Sequence, residues 1–482
     1  MKKKYRIAYV LLCLALLMCS CADSSSSSQG TVDETSSEST CDSLQSSPDE
    51  SSSLQEESSM TDDSSQQESA AFKEKYSSEL AKTKDALSQD TSFKLDESTV
   101  GKDIAGMYDF VNKSGCYPVY KGVDIDYYPM GDDALGPMLE ELEKAENYIF
   151  LEYYTLNEGE MWDQIYAVLK KKAAAGVEVR VMYDWIINAP DLPADFPQQL
   201  EQNGIRCVPF SEAGGSTTLD YNIRDHRKIM IIDGKVAFTG GINIADAYIN
   251  VTHEFGVWKD NVIAVKGSAV DSFTLMVLQL WNSCTGETEI DKYLTAGSET
   301  KGVDGYIMPF SENPYDEYLV GKSFYLSMLE NASDYIYIIT PYLIPDDEFE
   351  QALIDTAKRG VEVRIYVPGT SDLVVAGTMT KSHYRTLIDG GVRIFEYTPG
   401  FIHSKVFVSD DNKAIVGTIN IDSRSFIYDF ECGVYLYGKE AVADVLSEFT
   451  DHDEDYTEIT PENVDDYTPA GGSLLKGLEG YF

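Results

Sequence analysis

From residue 148 to 184 the chain reads YIFLEYYTLNEGEMWDQIYAVLKKKAAAGVEVRVMYD. An apolar, β-rich run gives way to an acidic turn, then to apolar residues at helical spacing, then to glycine and a second Val-rich run. The pattern predicts a strand–helix–strand unit, and strands apolar on both faces belong in a sheet covered on both sides. It returns at 335–369 as YIYIITPYLIPDDEFEQALIDTAKRGVEVRIYVPG, with GVEVR identical in both copies. The following strands match as well, NGIRCVPF against GGVRIFEY. The chain therefore reads as a tandem duplication, its first half at 105–300 and its second at 301–482.

Each half then presents a histidine in extended chain. In FIHSKVFVSDDNKAIVGTINIDSRSF (401–426), Val406, Phe407 and Val408 predict a strand on which His403 and Lys405 share a face. Asp410 falls in a turn-forming cluster that ends it. In RDHRKIMIIDGKVAFTGGINIAD (224–246), His226 and Lys228 alternate likewise, and Asp233 with Gly234 makes the turn. With only five histidines in the chain, ordinary residue usage gives about 0.02 chance matches to His-x-Lys-x-x-x-x-Asp. Two matches at equivalent places in a duplication point to chemistry rather than to paired core histidines. Asn243 and Asn420 each lie 17 residues after their histidine, preceded by Gly240 and Gly241 or by Gly417 and Thr418.

The N-terminus departs from this globular pattern. Lys2, Lys3, Lys4 and Arg6 precede an apolar run from Ile7 to Met18, shorter than the roughly 20 residues that span a bilayer. Residues 1–21 read as a secretory leader whose end resembles a bacterial lipoprotein cleavage site, with Cys21 the candidate for lipidation. Residues 22–72, rich in serine and glutamine with twelve acids and no Lys or Arg, read as a disordered tether, and 73–104 as a helical or irregular lead-in. Leader and tether together carry a net −8, so −35 of the formal −43 falls on the rest of the chain. Such acidity argues against a nucleic-acid partner, whose phosphates need basic surface. Cys116, Cys207, Cys284 and Cys432 lack metal-like or framework spacing and are expected as free thiols.

The paired motifs resemble those of the phospholipase D superfamily, and GTINIDSRSF, ITPYLIP and EYTPGFIHSK resemble its cardiolipin synthase branch. The resemblance implies an α/β fold of tandem duplicated phospholipase D-like domains. Each is a mixed sheet flanked by helices, and a pseudo-twofold axis brings the histidines into one shared site. It implies no metal and no cofactor. It also implies a phospholipid substrate such as phosphatidylglycerol, a membrane surface as the place of work, and transfer of a phosphatidyl group to a second phosphatidylglycerol to give cardiolipin and glycerol. A hydrolase of the same superfamily, acting on phospholipid or, less consistently with the charge, nucleic acid, would use the same residues. With the leader, these expectations place the catalytic part outside the cytoplasmic membrane, held through its N-terminus; the oligomeric state stays open.

Cleaving a phosphodiester without metal requires a nucleophile, an acid for the departing alkoxide and positive charge around the phosphoryl oxygens. Two imidazoles can divide the first two tasks near neutral pH. The expected division is attack by His226 and protonation by His403, the reverse remaining open. Lys228 and Lys405 supply the charge, while Asn243, Asn420 and the Thr418 hydroxyl are expected as hydrogen-bond donors to the phosphoryl group. Nucleophilic imidazoles also need an orienting carboxylate. Glu431, 28 residues after His403, matches the family's orienting acid. Asp260 aligns with it in the first half, with Glu254 as a fallback. Asp233 and Asp410 complete the catalytic motif, although a role in pinning the turn suits them better. Arg424 and Ser425 fit the branch motif.

Overall fold

The structure is a computed structural model describing residues 70–83, 86, 95, 97–114, 117–211, 222–294, 300–449, 453–467 and 480. The expected leader, its Cys21, the tether up to residue 69 and Cys116 lie outside the described residues.

The first half forms a seven-stranded mixed sheet. In spatial order its strands are Asp124–Tyr128, Val262–Lys266, Val236–Gly240, Lys228–Ile232, Tyr148–Tyr153, Glu178–Asp184 and Ile205–Phe210. The last three are mutually parallel and the others pair antiparallel. The second half repeats this order and these directions with Tyr306–Glu312, Asp429–Tyr437, Lys413–Gly417, Val406–Ser409, Tyr335–Ile339, Glu362–Pro368 and Arg393–Tyr397. Tyr120–Lys121 and Tyr456–Ile459 extend its two edges.

Period-2 alternation sorts the strand side chains into two cores. Tyr148, Phe150, Ile229, Ile231, Ile263 and Val265 point into a cluster continuous with the second half, while Ile149, Leu151, Met230, Ile232, Val262 and Ala264 point into the first half's own core. Helix Val270–Thr285 contacts strands of both sheets and is buried from Ser272 to Ser283, as befits a helix apolar on nearly every side. The repeated GVEVR sits where each half's helix stops. Gly176 (φ 94°) ends helix Glu160–Ala174 in a left-handed turn, with Gly176 N–H donating to Ala173 O and Val177 N–H to Lys172 O, and Gly360 (φ 93°) occupies the matching place after Asp347–Lys358.

Three features differ from the sequence expectation. Residues 70–83 are helical, beginning inside the expected tether, because Tyr76, Glu79 and Thr83 bury one face and Phe72 meets Phe210 at 6.0 Å between ring centroids. The boundary at 300 is crossed by the chain: Tyr120–Lys121 joins the second half's sheet, and Arg224–Asp225 pairs with Asp429–Phe430. Neither histidine lies within a strand. His226 follows Arg224–Asp225 and precedes Lys228–Ile232; His403 follows Gly400–Ile402 and precedes Val406–Ser409. The chain leaves one pairing partner and takes up another at each histidine.

Candidate active site

Those junctions build the site. Gly400–Ile402 runs parallel to Val257–Lys259 of the first half, so His403 N–H donates to Lys259 O at 2.7 Å. Arg224–Asp225 runs parallel to Asp429–Phe430 of the second half, so His226 N–H donates to Phe430 O at 2.9 Å. The residue after each accepting carbonyl is an acid. Glu431 Oε1 lies 2.8 Å from His226 Nδ1, and Asp260 Oδ2 lies 2.7 Å from His403 Nδ1. Each orienting acid therefore serves the histidine of the opposite half, where the sequence had placed Glu431 and Asp260 each with its own half. Nδ1 carrying the proton toward the carboxylate leaves Nε2 with its lone pair for the reacting group.

The two acids are held by complementary means. Thr418 donates its hydroxyl to Glu431 and accepts from Cys432 N–H at 3.0 Å. Its counterpart Gly241 has no side chain, and a Cβ there would fall 1.9 Å from Asp260 Oδ1, which accepts from Asn261 N–H at 2.9 Å. Thr418 is thus committed to the acid rather than to a phosphoryl oxygen. Asn243 accepts from Thr155 N–H at 2.9 Å and gives one of its two amide hydrogens to Tyr248 Oη at 2.8 Å. Asn420 leaves its buried Oδ1 without a hydrogen-bond partner among the described residues, while Ser425 Oγ accepts its backbone N–H at 3.2 Å.

Lys228 and Lys405 are buried, and each donates to the carbonyl oxygen of its own histidine. Asp233 and Asp410 spend their carboxylates on backbone donors. Asp233 accepts from the backbone N–H of Glu146, Asn147 and Tyr148, and Asp410 from those of Ser333, Asp334 and Tyr335. Both adopt positive φ in tight hairpin turns, 52° and 54°, so the motif's aspartate anchors the far end of the strand that follows the histidine. Glu254 is exposed on its loop. His383 is buried 2.5 Å from Glu350 on a neighbouring helix, and His253 is exposed.

Aromatic walls, which the motif spacing did not indicate, complete the site. Tyr154 meets the His226 ring edge-on at 4.7 Å, while Tyr248 and Trp258 each lie 5.6 Å from His403. Their one sequence signal was position: Trp258 stands two residues before an orienting acid.

Burial governs the electrostatics. It pushes the His226 imidazole well below its ordinary range, helped by Lys228 and Lys405. His403 is lowered to about 4 by burial and Lys405, against the upward pull of Asp260. Burial also lowers Lys228 to about 8 and Lys405 to about 7. Glu431 is raised by burial, with Lys228 and the Thr418 hydroxyl opposing. Two imidazoles and two lysines thus sit together with lowered proton affinity, and an entering phosphate anion would favour the protonated forms of Lys228, Lys405 and His403, whose proton Asp260 helps to hold. Among the described residues, His226, Asp429 and Glu431 offer ligand atoms within 4.8 Å of one another. The nitrogen that faces this cluster is already hydrogen-bonded to Glu431, and Lys228 and Arg424 place positive charge beside it, so the arrangement suits an anion better than a cation.

Residues 138–273 and 325–453 match the family described as "Cardiolipin synthase, PLD-like domain". The chain is 45% identical over 340 residues to an uncharacterized protein of Streptococcus mutans, covering 70% of this chain and 74% of that one. It is 36% identical over 346 residues to a cardiolipin synthase of Alkalihalophilus pseudofirmus, covering 71% and 68%. The fold also resembles that of a phosphatidylserine synthase from Haemophilus influenzae, with a TM-score of 0.61 at 14% identity over 79% of this chain and 100% of that one. With two matched halves, crossed histidine–acid pairs and these relatives, the chain belongs to the cardiolipin synthase branch of the phospholipase D superfamily and is a phosphatidyltransferase of that superfamily.

Proposed function

We propose that this enzyme makes cardiolipin from two molecules of phosphatidylglycerol. His226 Nε2 attacks the phosphorus of the first lipid; an N–P bond forms, the bond to the glycerol oxygen breaks, and His403 gives that oxygen its proton. Glycerol leaves. His403 then takes the proton of a hydroxyl on the second phosphatidylglycerol, whose oxygen displaces His226 from phosphorus.

The observation that carries this reading is the crossing of the acids, because it ties each imidazole to the half it does not belong to and so faces the pair onto one shared space. The division of labour follows from the surroundings. Burial, Lys228, Lys405 and Arg424 all lower the proton affinity of His226, which suits a nucleophile, whereas Asp260 raises that of His403 against burial and Lys405. Exchange of one phosphodiester for another is nearly balanced, so the acceptor's abundance and exclusion of water set the direction.

The test is to incubate the full chain with phosphatidylglycerol vesicles and identify the products. Cardiolipin and free glycerol in equal amounts are expected. Phosphatidic acid with glycerol would establish a hydrolase instead, and no turnover of either kind would remove the reading. Lipidation at Cys21, which would tether this acidic protein near its substrate, is part of the same proposal. Mass spectrometry of the membrane-extracted protein should find a diacylated N-terminal cysteine, and an unmodified leader would contradict it.

A further inference from the structure

Among the described residues, eight large apolar side chains are exposed, and six of them, Ile187, Val251, Val257, Leu373, Val374 and Ile427, stand on segments that adjoin the active site. Ile187 lies in the turn Trp185–Asn188, capped by Asp184, whose other carboxylate oxygen accepts from Asp225 N–H next to His226. Asn188 of that turn donates to the carbonyl of Tyr154, the ring against His226. Val251 and Val257 flank the loop between Tyr248 and Trp258, the two rings against His403. Leu373 and Val374 follow Asp372, which accepts from Tyr342 Oη and acts electrostatically on Lys405. Ile427 lies between Arg424 and Asp429, four residues before Glu431 on the chain.

The distribution obeys the duplication. Ile187 and the Leu373–Val374 pair both follow the second parallel strand of their own sheet, and Val251 with Val257 and Ile427 both fall between the motif asparagine and the orienting acid. Each half thus contributes the same two loops, each tipped with apolar side chains. Val374 is 81% exposed and Leu373 51%, at the start of a helix that offers them no cover. The other two exposed residues, Tyr318 and Leu319, lead into helix Val320–Glu330, and Tyr318 meets Phe110 at 5.7 Å.

We infer that these four loops form a rim by which the mouth of the active site seats on a phospholipid surface, their side chains entering the interface between headgroups and acyl chains. This rests on the phospholipid substrate proposed above. The formal charge of −43 opposes attraction to anionic lipid, so contact at the mouth must come from apolar insertion rather than from basic residues. Seating the mouth on the bilayer lets a lipid phosphate reach the histidines while its acyl chains stay in hydrocarbon, and it keeps water from the phosphohistidine.

The experiment uses the full chain and a double variant, Leu373→Asp with Val374→Asp, against phosphatidylglycerol in vesicles and against dispersed short-chain phosphatidylglycerol. The expected result is at least a tenfold loss of turnover on vesicles with turnover on the dispersed lipid unchanged. No loss on vesicles, or equal loss on both, overturns the inference. Hydrogen exchange of the full chain with and without phosphatidylglycerol vesicles should show protection at 185–188, 249–258, 371–376 and 424–428. Protection absent from these segments overturns it too. Should the enzyme turn over neither lipid, the proposed reaction fails while hydrogen exchange still decides the docking.

Discussion

The two histidines share a backbone frame and differ in what surrounds them. Two residues before His226 stands Arg224, and two before His403 stands Phe401; two before Glu431 stands Asp429, and two before Asp260 stands Trp258. These are equivalent slots filled with opposite chemistry. Around His226 they gather charge: Arg424 lies 3.7 Å from Asp429, and burial lifts Asp429 to about 7 and Asp184 to about 6. Around His403 they gather rings, with Trp258 4.8 Å from Phe401 and 4.7 Å from Tyr248. Duplication supplied two identical reacting arms; the unmatched slots made them unequal, so that one arm can take the nucleophile's part and the other the acid's.

The sharpest way to break this comparison is to remove one histidine at a time. His226→Ala and His403→Ala should each lower turnover by at least about 10³-fold, the scale of losing a nucleophile or its acid–base partner. With an aryl phosphodiester whose leaving group needs no acid, His403→Ala should accumulate a phosphoenzyme detectable by intact-mass spectrometry and His226→Ala should not. The opposite pattern would exchange the two roles.

The crossing of the acids yields the next effect. Glu431→Gln and Asp260→Asn should each cost about 10²- to 10⁴-fold, as expected when an imidazole loses its tautomer-fixing carboxylate. With the activated ester, phosphoenzyme formation should recover in Asp260→Asn, whose damage falls on His403, and stay slow in Glu431→Gln, whose damage falls on His226. Pairing within each half would reverse the two.

The supports of the acids should differ in the same sense and by less. Gly241→Thr drives a side chain into Asp260 and should cost about 10²-fold in kcat, whereas Thr418→Gly removes one hydrogen bond to Glu431 and should cost about 10-fold. Equal losses would mean that the two sites are built alike after all.

The smallest effect is on pH. Lys405 at about 7 and Lys228 at about 8 carry their protons below those values and lose them as pH rises, removing the positive charge that receives the phosphate. kcat/KM, which reports the free enzyme, should therefore show a further decline between pH 7 and 8 in initial-rate measurements, above the slope that His403, lowered to about 4, imposes. A slope unchanged to pH 9 would show both lysines to be ordinary.

Repetition of a strong local pattern made the paired motif residues legible. GVEVR after a helix, the valine-rich strands and the His-x-Lys spacing are all short-range signals. They were sufficient for the duplicated α/β architecture, the histidines, the lysines and the acids as types. The same short range misled where partners come from afar. His403 reads as lying within a strand because Val406–Val408 follow it, yet its own N–H pairs with Lys259 of the other half. Asp233 and Asp410 read as motif members, and only the fold shows their carboxylates spent on three backbone donors each.

What the sequence alone determined is therefore the inventory and its symmetry: two copies of one unit, each with its histidine, lysine, asparagine and acid at matched spacing. What only tertiary structure decided is ownership: which acid turns which ring, which rings wall the site, and which loops stand at its mouth. The reason is physical. Spacing along a chain records contacts within a few residues, whereas the His226–Glu431 and His403–Asp260 hydrogen bonds join residues 205 and 143 positions apart. They exist because two sheets share one core and exchange strands at the point where each histidine leaves its pairing partner.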